Sequence, residues 1–246
     1  SSEINNNGHN YVSWNWKANG SGSNDTSGDI DAVVSANQTS GFSIVTFTAN
    51  GSDAGTIPHG LGAIPDVVLY KIRSAANNWN LRTTIIDGSD DYLQLNTTAA
   101  KVNLSSAYGN VTSSFFTNFG FSNGLALVAY CFASKPGFSK VGIYTGNGNA
   151  SGPFISTGFK PAWVMIKLTS SAGLNWNIFD NKRDIDNATG KFLAANETAA
   201  EGDQVTLDLL SNGFKIRNSA SYVNTNGQTY LYMAFAESPF KTANAR

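Results

Sequence analysis

The chain has 246 residues, a net charge of −1 and a pI near 6.1, with only 13% of its residues charged. That balance excludes the basic footprint on which phosphate-backbone binding depends, while 41% hydrophobic and 12% aromatic residues exclude wholesale disorder. The longest apolar stretch, Leu125 to Ala133, is about half of a bilayer span, and the lone Cys131 cannot form an intrachain disulfide. We therefore expect no nucleic-acid partner and no membrane partner, and the polar start SSEINNNGHN carries no signal peptide.

The first predicted element is a strand over Tyr11–Lys17. Val12, Trp14 and Trp16 share one face and Ser13 lies on the other, which is a period of 2. Its segment, NGHNYVSWNWKA (7–18), aligns without gaps with NGLALVAYCFAS (123–134) and NGQTYLYMAFAE (226–237). The chain thus opens on a copy of the closing strand of a unit whose body is missing. In the later copies Val128, Tyr130 and Phe132, then Leu231, Met233 and Phe235, form the heavy face, and Ala129 and Ala234 lie on the light one. Residues 18–40 are rich in Gly, Ser and Asn, have no counterpart at Ser134–Pro136, and read as a linker or a long exposed hairpin.

An internal repeat begins at Gly41. Gly41-Phe42-Ser43 recurs as Gly137-Phe138-Ser139, and the same offset of 96 carries Val45 to Val141, Gly62 to Gly158 and Pro65 to Pro161. Lys71 stands opposite Lys167 in the runs DVVLYKI and AWVMIKL. The offset grows to 100 where YLQLNTTAA (92–100) meets FLAANETAA (192–200), and to 103 at Asn123-Gly124 and Asn226-Gly227. Growing shifts are insertions in loops between retained strands. Segments 65–73 and 161–168 are nearly continuous in apolar residues, as central sandwich strands are, and Asn-Gly dipeptides mark hairpin turns. No stretch sustains a helical period. The prediction is an all-β chain of two tandem β-sandwich-like repeats of roughly 100 residues each, spanning 41–136 and 137–246, after an orphan strand and linker over 1–40.

The string GFSKVGIYTGNGNASGPFISTGFKPAWVMIK (137–167) resembles a module of marine bacteriophage and cyanophage structural proteins. The ending QTYLYMAFAESPFKTANAR resembles that module's C-terminal signature, and GFSIVTFTANG is its earlier counterpart. The resemblance covers nearly the whole chain. It implies a jelly-roll or lectin-like sandwich on a virion surface, assembled in the host bacterial cytoplasm and built into a tail fibre or a head decoration. It carries over no catalytic residues.

Candidate sites are few. Trp79 and Trp176, in NNWN and LNWN, could stack on sugar rings, but Trp79 shares a strand face with Leu81 and Ile85, as Trp176 does with Ile178, which favours core packing. Trp163 replaces Val67 and is a candidate interface or ligand aromatic, as are Trp14 and Trp16. The acidic loop DGSDD makes Asp87, Asp90 and Asp91 weak calcium ligands, and DIDN (184–187) recurs in register. Asp25, Ser27, Asp29 and Asp31 alternate without the glycine and glutamate of an EF-hand, and Asp and Asn serve turns equally well. His9 and His59 have no repeat equivalents, and His59 in IPHGLG reads as a surface or turn histidine. Cys131 falls on the small-residue face, buried and inert. The glutamates Glu3, Glu197, Glu201 and Glu237 are scattered, so no glycosidase pair emerges.

These residues predict a non-enzymatic protein without a cofactor. We expect a receptor-binding module that meets a host glycan or protein. The alternatives are a head-decoration or head-fibre protein and, third, a surface-polysaccharide depolymerase. Expected partners are other virion proteins and further copies of the chain, with a trimer favoured.

Overall fold

The computed structural model of the protein describes residues 6–239, and nearly all of its regular structure is β. The first half contains β1 (Ser23–Asp25), β2 (Ala32–Asn37), β3 (Phe42–Thr48), β4 (Thr56–Pro58) and β5 (Val67–Ile72). It continues with β6 (Asn80–Thr83), β7 (Asp91–Gln94), β8 (Val102–Asn103), β9 (Phe115–Thr117) and β10 (Ala126–Phe132). The second half contains β11 (Ser139–Thr145), β12 (Phe154–Ser156), β13 (Pro161–Leu168) and β14 (Asn177–Asp180). It ends with β15 (Thr189–Ala194), β16 (Gly202–Leu210), β17 (Gly213–Ile216) and β18 (Thr229–Ala236).

Each half forms an eight-stranded antiparallel sheet, in the orders β1-β2-β3-β10-β5-β6-β7-β8 and β11-β18-β13-β14-β15-β16-β17-β12. The run β3-β10-β5-β6-β7-β8 is matched step for step by β11-β18-β13-β14-β15-β16, an order that supports the duplication read from the sequence. In the first half β4 and β9 form a separate pair, whereas in the second β17 and β12 continue the large sheet.

The nearly continuous apolar strands are buried on both faces. In β5, Val68, Tyr70 and Ile72 enter a first core with Val45, Phe47 and Phe116, while Val67 turns the other way. In β13, Val164, Ile166 and Leu168 enter a second core, while Trp163 and Met165 turn outward. The outward residues of both sheets, Val67, Leu81 and Leu93 with Trp163, Trp176 and Met233, meet in a third cluster between the halves. Burying one Trp such as Trp176, 1% exposed, is worth on the order of 4–6 kcal/mol before entropy is subtracted. The heavy face of the closing strands is thus a seam, and the light face lets the sheet approach its own core.

Three sequence expectations need correction. Residues 18–40 are not a linker: β1 and β2 extend the first sheet beyond β3, and Ile30, Ala32 and Val34 belong to the first core. Tyr11–Lys17 is extended but joins no ladder among the described residues. Val12, Trp14 and Trp16 still alternate half-buried between exposed neighbours, because the two Trp rings pack on the seam. The gapless offset also slips at the first strand. Val45 faces the first core and Val141 the seam, and successive residues of a strand face opposite ways. The hydrogen bonds Ala49 N–H to Leu125 O and Gly146 N–H to Gln228 O mark the structurally equivalent positions, one residue away from the sequence alignment.

Candidate functional site

The duplicated halves carry the same lysine–tryptophan pair. Lys71 on β5 and Lys167 on β13 lie on the seam-ward face by the period of 2, and Trp79 and Trp176 enter β6 and β14 beside them. An asparagine fixes each indole's backbone: Asn96 Oδ1 accepts from Trp79 N–H at 2.8 Å, and Asn196 Oδ1 from Trp176 N–H at 2.9 Å. Each amine donates to a carbonyl of the following turn, Lys71 to Asn77 O and Lys167 to Leu174 O.

The surroundings of the two pairs differ. Trp176 is sealed by the first half, its Nε1 donating to Gln94 O at 3.0 Å. Lys167 is 0% exposed and also donates to Thr98 O at 3.3 Å, with no carboxylate bonded to it among the described residues. Burial pushes its amine down to about 8. Trp79 lies outside the seam cluster and is half-buried. It stacks on Tyr130 at 6.3 Å between centroids and 23° between planes, and the Lys71 ammonium stands 5.7 Å from its centroid. Exposed Asn77 and Asn96 border this pair, and Asn96 Nδ2 donates to Asn78 Oδ1. An aromatic surface bordered by amides and one ammonium can stack on sugar C–H groups, bond hydroxyls and attract a carboxylate.

The other aromatic candidates are structural. Trp163 is 8% exposed. Trp16 packs edge-on against it at 5.5 Å and against Phe235 at 5.3 Å, and Trp14 meets it at 6.4 Å with Arg183 over the other ring at 5.6 Å. The strand periodicity is the signal for the burial of Trp176. Nothing local distinguishes Trp79, because its exposure depends on where the second half docks.

The calcium reading of the acidic loop is corrected as well. Asp90 is held by the buried Arg82 guanidinium, and Asp87 and Asp91 both receive the Lys101 amine, at 2.7 and 2.8 Å. Lys101 and Ser89 hold the Asp87 carboxyl well below the usual range, whereas burial pushes Asp91 up. These carboxylates are already neutralised, and no cluster of metal-ligating side chains occurs among the described residues. In the second acidic loop Asp184 accepts the Gly190 and Lys191 N–H groups, and Asp29 accepts from Thr56.

His59 is not a surface residue. It is 0% exposed, its Nδ1 accepting from Leu61 N–H and its Nε2 lying 3.1 Å from Thr112 O. Burial lowers its pKa, so the ring is a neutral structural group. Cys131 is 0% exposed, with its thiol pushed up to about 12 by burial. Sequence reasoning missed the Arg82 ion pair and the burial of Lys167. The signal for the latter was a lysine inside an otherwise unbroken apolar run.

Compared with known proteins, the chain is matched by a family profile over residues 1–239. No curated protein and no solved structure matches it.

Proposed function

The chain belongs to the family of that profile, described as a domain of unknown function (DUF7483), and on that premise we propose that it is a non-enzymatic attachment module of a bacteriophage particle. In this reading it is of the tail-fibre or receptor-binding type, sits on the virion surface with other virion proteins and further copies of itself, and holds a host-surface glycan on the Trp79–Tyr130 stack. The observation that carries the reading is the duplicated lysine–tryptophan pair. One copy is spent on the seam between the halves, while the other is half-exposed beside amides and the Lys71 ammonium. The virion assignment rests on the resemblance of the strings at 137–167 and at the C-terminus. A non-catalytic role is supported by the use of the buried charged groups: Arg82 holds Asp90 and Gly109 O, Asp91 holds Lys101, Asp180 holds Arg183, and Lys167 holds Leu174 O.

The test is a glycan array of host-surface polysaccharides, followed by affinity measurement on the best binder with wild type, Trp79→Ala and Tyr130→Ala. Each substitution should weaken binding by about two- to tenfold, because stacking of one ring is worth roughly 0.5–1.5 kcal/mol. Unchanged affinity in both variants, or no glycan bound, would remove the reading, and reducing-sugar release from the polysaccharide would turn it toward a depolymerase.

A further inference from the structure

The two halves differ at one edge. In the first, the sheet does not stop at β3: β2 pairs with it along its length, from Ala32 opposite Phe47 to Asn37 opposite Phe42. The segment around β2 also reaches β4 on its far side. Ile30 N–H donates to Thr56 O at 3.0 Å, Asp29 Oδ2 accepts from Thr56 N–H at 3.0 Å, and Gln38 Nε2 donates to Gly60 O at 2.9 Å. The fit is close enough that a Cβ at Gly60 would lie 2.9 Å from that of Ala36. So β2 fills the gap between β3 and β4 and sends Ala32 and Val34 into the first core.

Among the described residues the second half lacks this strand. The gap between β11 and β12 is a groove of about 420 Å³, whose lining includes Ile143, Tyr144, Phe154, Ile155 and Tyr232 and, from the first half, Ile85. A single side chain crosses it, Lys140, whose Nζ donates to Ser156 O at 2.8 Å. Tyr232 lies across Gly142, where a Cβ would meet its hydroxyl at 2.7 Å. Ile143 and Phe154 are 42% and 46% exposed at the lips. The backbone is open too. Gly146 N–H pairs toward β18, so the odd residues of β11 point their N–H and C=O groups outward. Ser139 spends these on Lys135, and Val141 N–H goes to Ser134 Oγ. Those of Ile143 and Thr145 have no partner among the described residues. The link between the halves does not repeat the solution of the first half, because β10 ends at Phe132 and β11 starts at Ser139, which leaves no room there for another strand.

We propose that the β11–β12 groove is a strand-addition site that accepts an extended segment of another polypeptide, a strand of the chemistry of β2. That chemistry is defined within the chain. The guest runs antiparallel to β11, presents small aliphatic side chains at alternate positions as Ala32, Val34 and Ala36 do, carries no inward charge, and hydrogen-bonds Ile143 and Thr145. Main-chain bonds supply affinity and the alternating pockets supply selectivity. The guest displaces the Lys140 amine from Ser156 O, so a hydroxyl at the position facing Lys140 strengthens it. The inference is independent of the glycan reading and survives its failure.

The probe is a fluorescein-labelled synthetic peptide with the sequence of residues 28–38, GDIDAVVSANQ, titrated into the full chain by fluorescence anisotropy and followed by amide hydrogen exchange. We expect saturable binding, at least about tenfold slower exchange at Ile143 and Thr145, and no binding of the same peptide with proline at alternate positions. Ile143→Pro removes one outward N–H from an edge strand, where proline is tolerated, and should weaken binding at least about tenfold without moving the thermal midpoint. Thr145→Pro is the second variant should Ile143→Pro unfold. Three results overturn the proposal: no saturable binding at millimolar peptide; binding unchanged in both proline variants; or Ile143 and Thr145 amides as protected in the free protein as those of β18. A dimer that Ile143→Pro converts to a monomer also overturns it, because the occupant would then be a second copy.

Discussion

Among single residues, Lys167 makes the sharpest prediction. An ammonium with two carbonyl acceptors and no carboxylate bonded to it among the described residues costs stability relative to water. Its folded pKa of about 8 lies below the unfolded value, so the penalty is complete below pH 8 and fades as pH rises toward 10.5. Lys167→Met should therefore raise the thermal midpoint by a few degrees at pH 7. That advantage should shrink between pH 8 and pH 10, where the neutral amine still serves Thr98 and Leu174. Midpoints of the two proteins measured side by side across this range cancel the titration of all other groups. An advantage that grows with pH would show that the amine is paired or hydrated.

At the scale of the element, the N-terminal segment behaves as a clasp. Its backbone joins no sheet, yet Trp14 and Trp16 bring aromatic faces to Trp163, Phe132 and Phe235 across both halves. The two rings are half-buried, so their contribution is on the order of 2–4 kcal/mol, below that of full burial. Deleting residues 1–17 should lower the thermal midpoint by roughly 5–10 °C, and Trp16→Ala alone by about half of that. A midpoint unchanged by the deletion would mean that the seam holds without the clasp. These rings pack within one chain, so the segment is a clasp between the halves rather than an exposed edge.

The whole molecule should unfold as one body. The seam buries Trp176, Leu81, Leu93 and Met233 from both halves, and backbone bonds such as Gly173 N–H to Thr98 O and Lys101 N–H to Thr169 O cross it. Calorimetry should show a single transition with calorimetric and van't Hoff enthalpies in agreement. Met165→Lys, which places a charge in the seam, should split the transition in two and expose Trp176 fluorescence to quenchers. Two transitions in the wild type would mean that each curled sheet is stable on its own core.

The all-β class, the alternation of heavy and light faces and the double burial of β5 and β13 were legible in the sequence, because the period of 2 and the apolar runs are local consequences of backbone geometry. The repeat read from the letters has a parallel in the strand orders of the two halves, although an alignment of letters could not detect the one-residue slip at β11. A glycine at 142 under Tyr232 and a valine at 45 serve the same position by different packing. Tertiary structure alone decided which of two like residues is covered. Trp79 and Trp176, Lys71 and Lys167, and the edges of β3 and β11 have nearly the same local sequence. They part company because one half docks over the other and because β2 exists only once, and neither fact is encoded within a window of neighbouring residues. The acidic loop is a similar case: Asp87, Asp90 and Asp91 look like cation ligands until Lys101 and Arg82 arrive, Lys101 ten residues beyond Asp91 and Arg82 from β6, and fill the place of the ion.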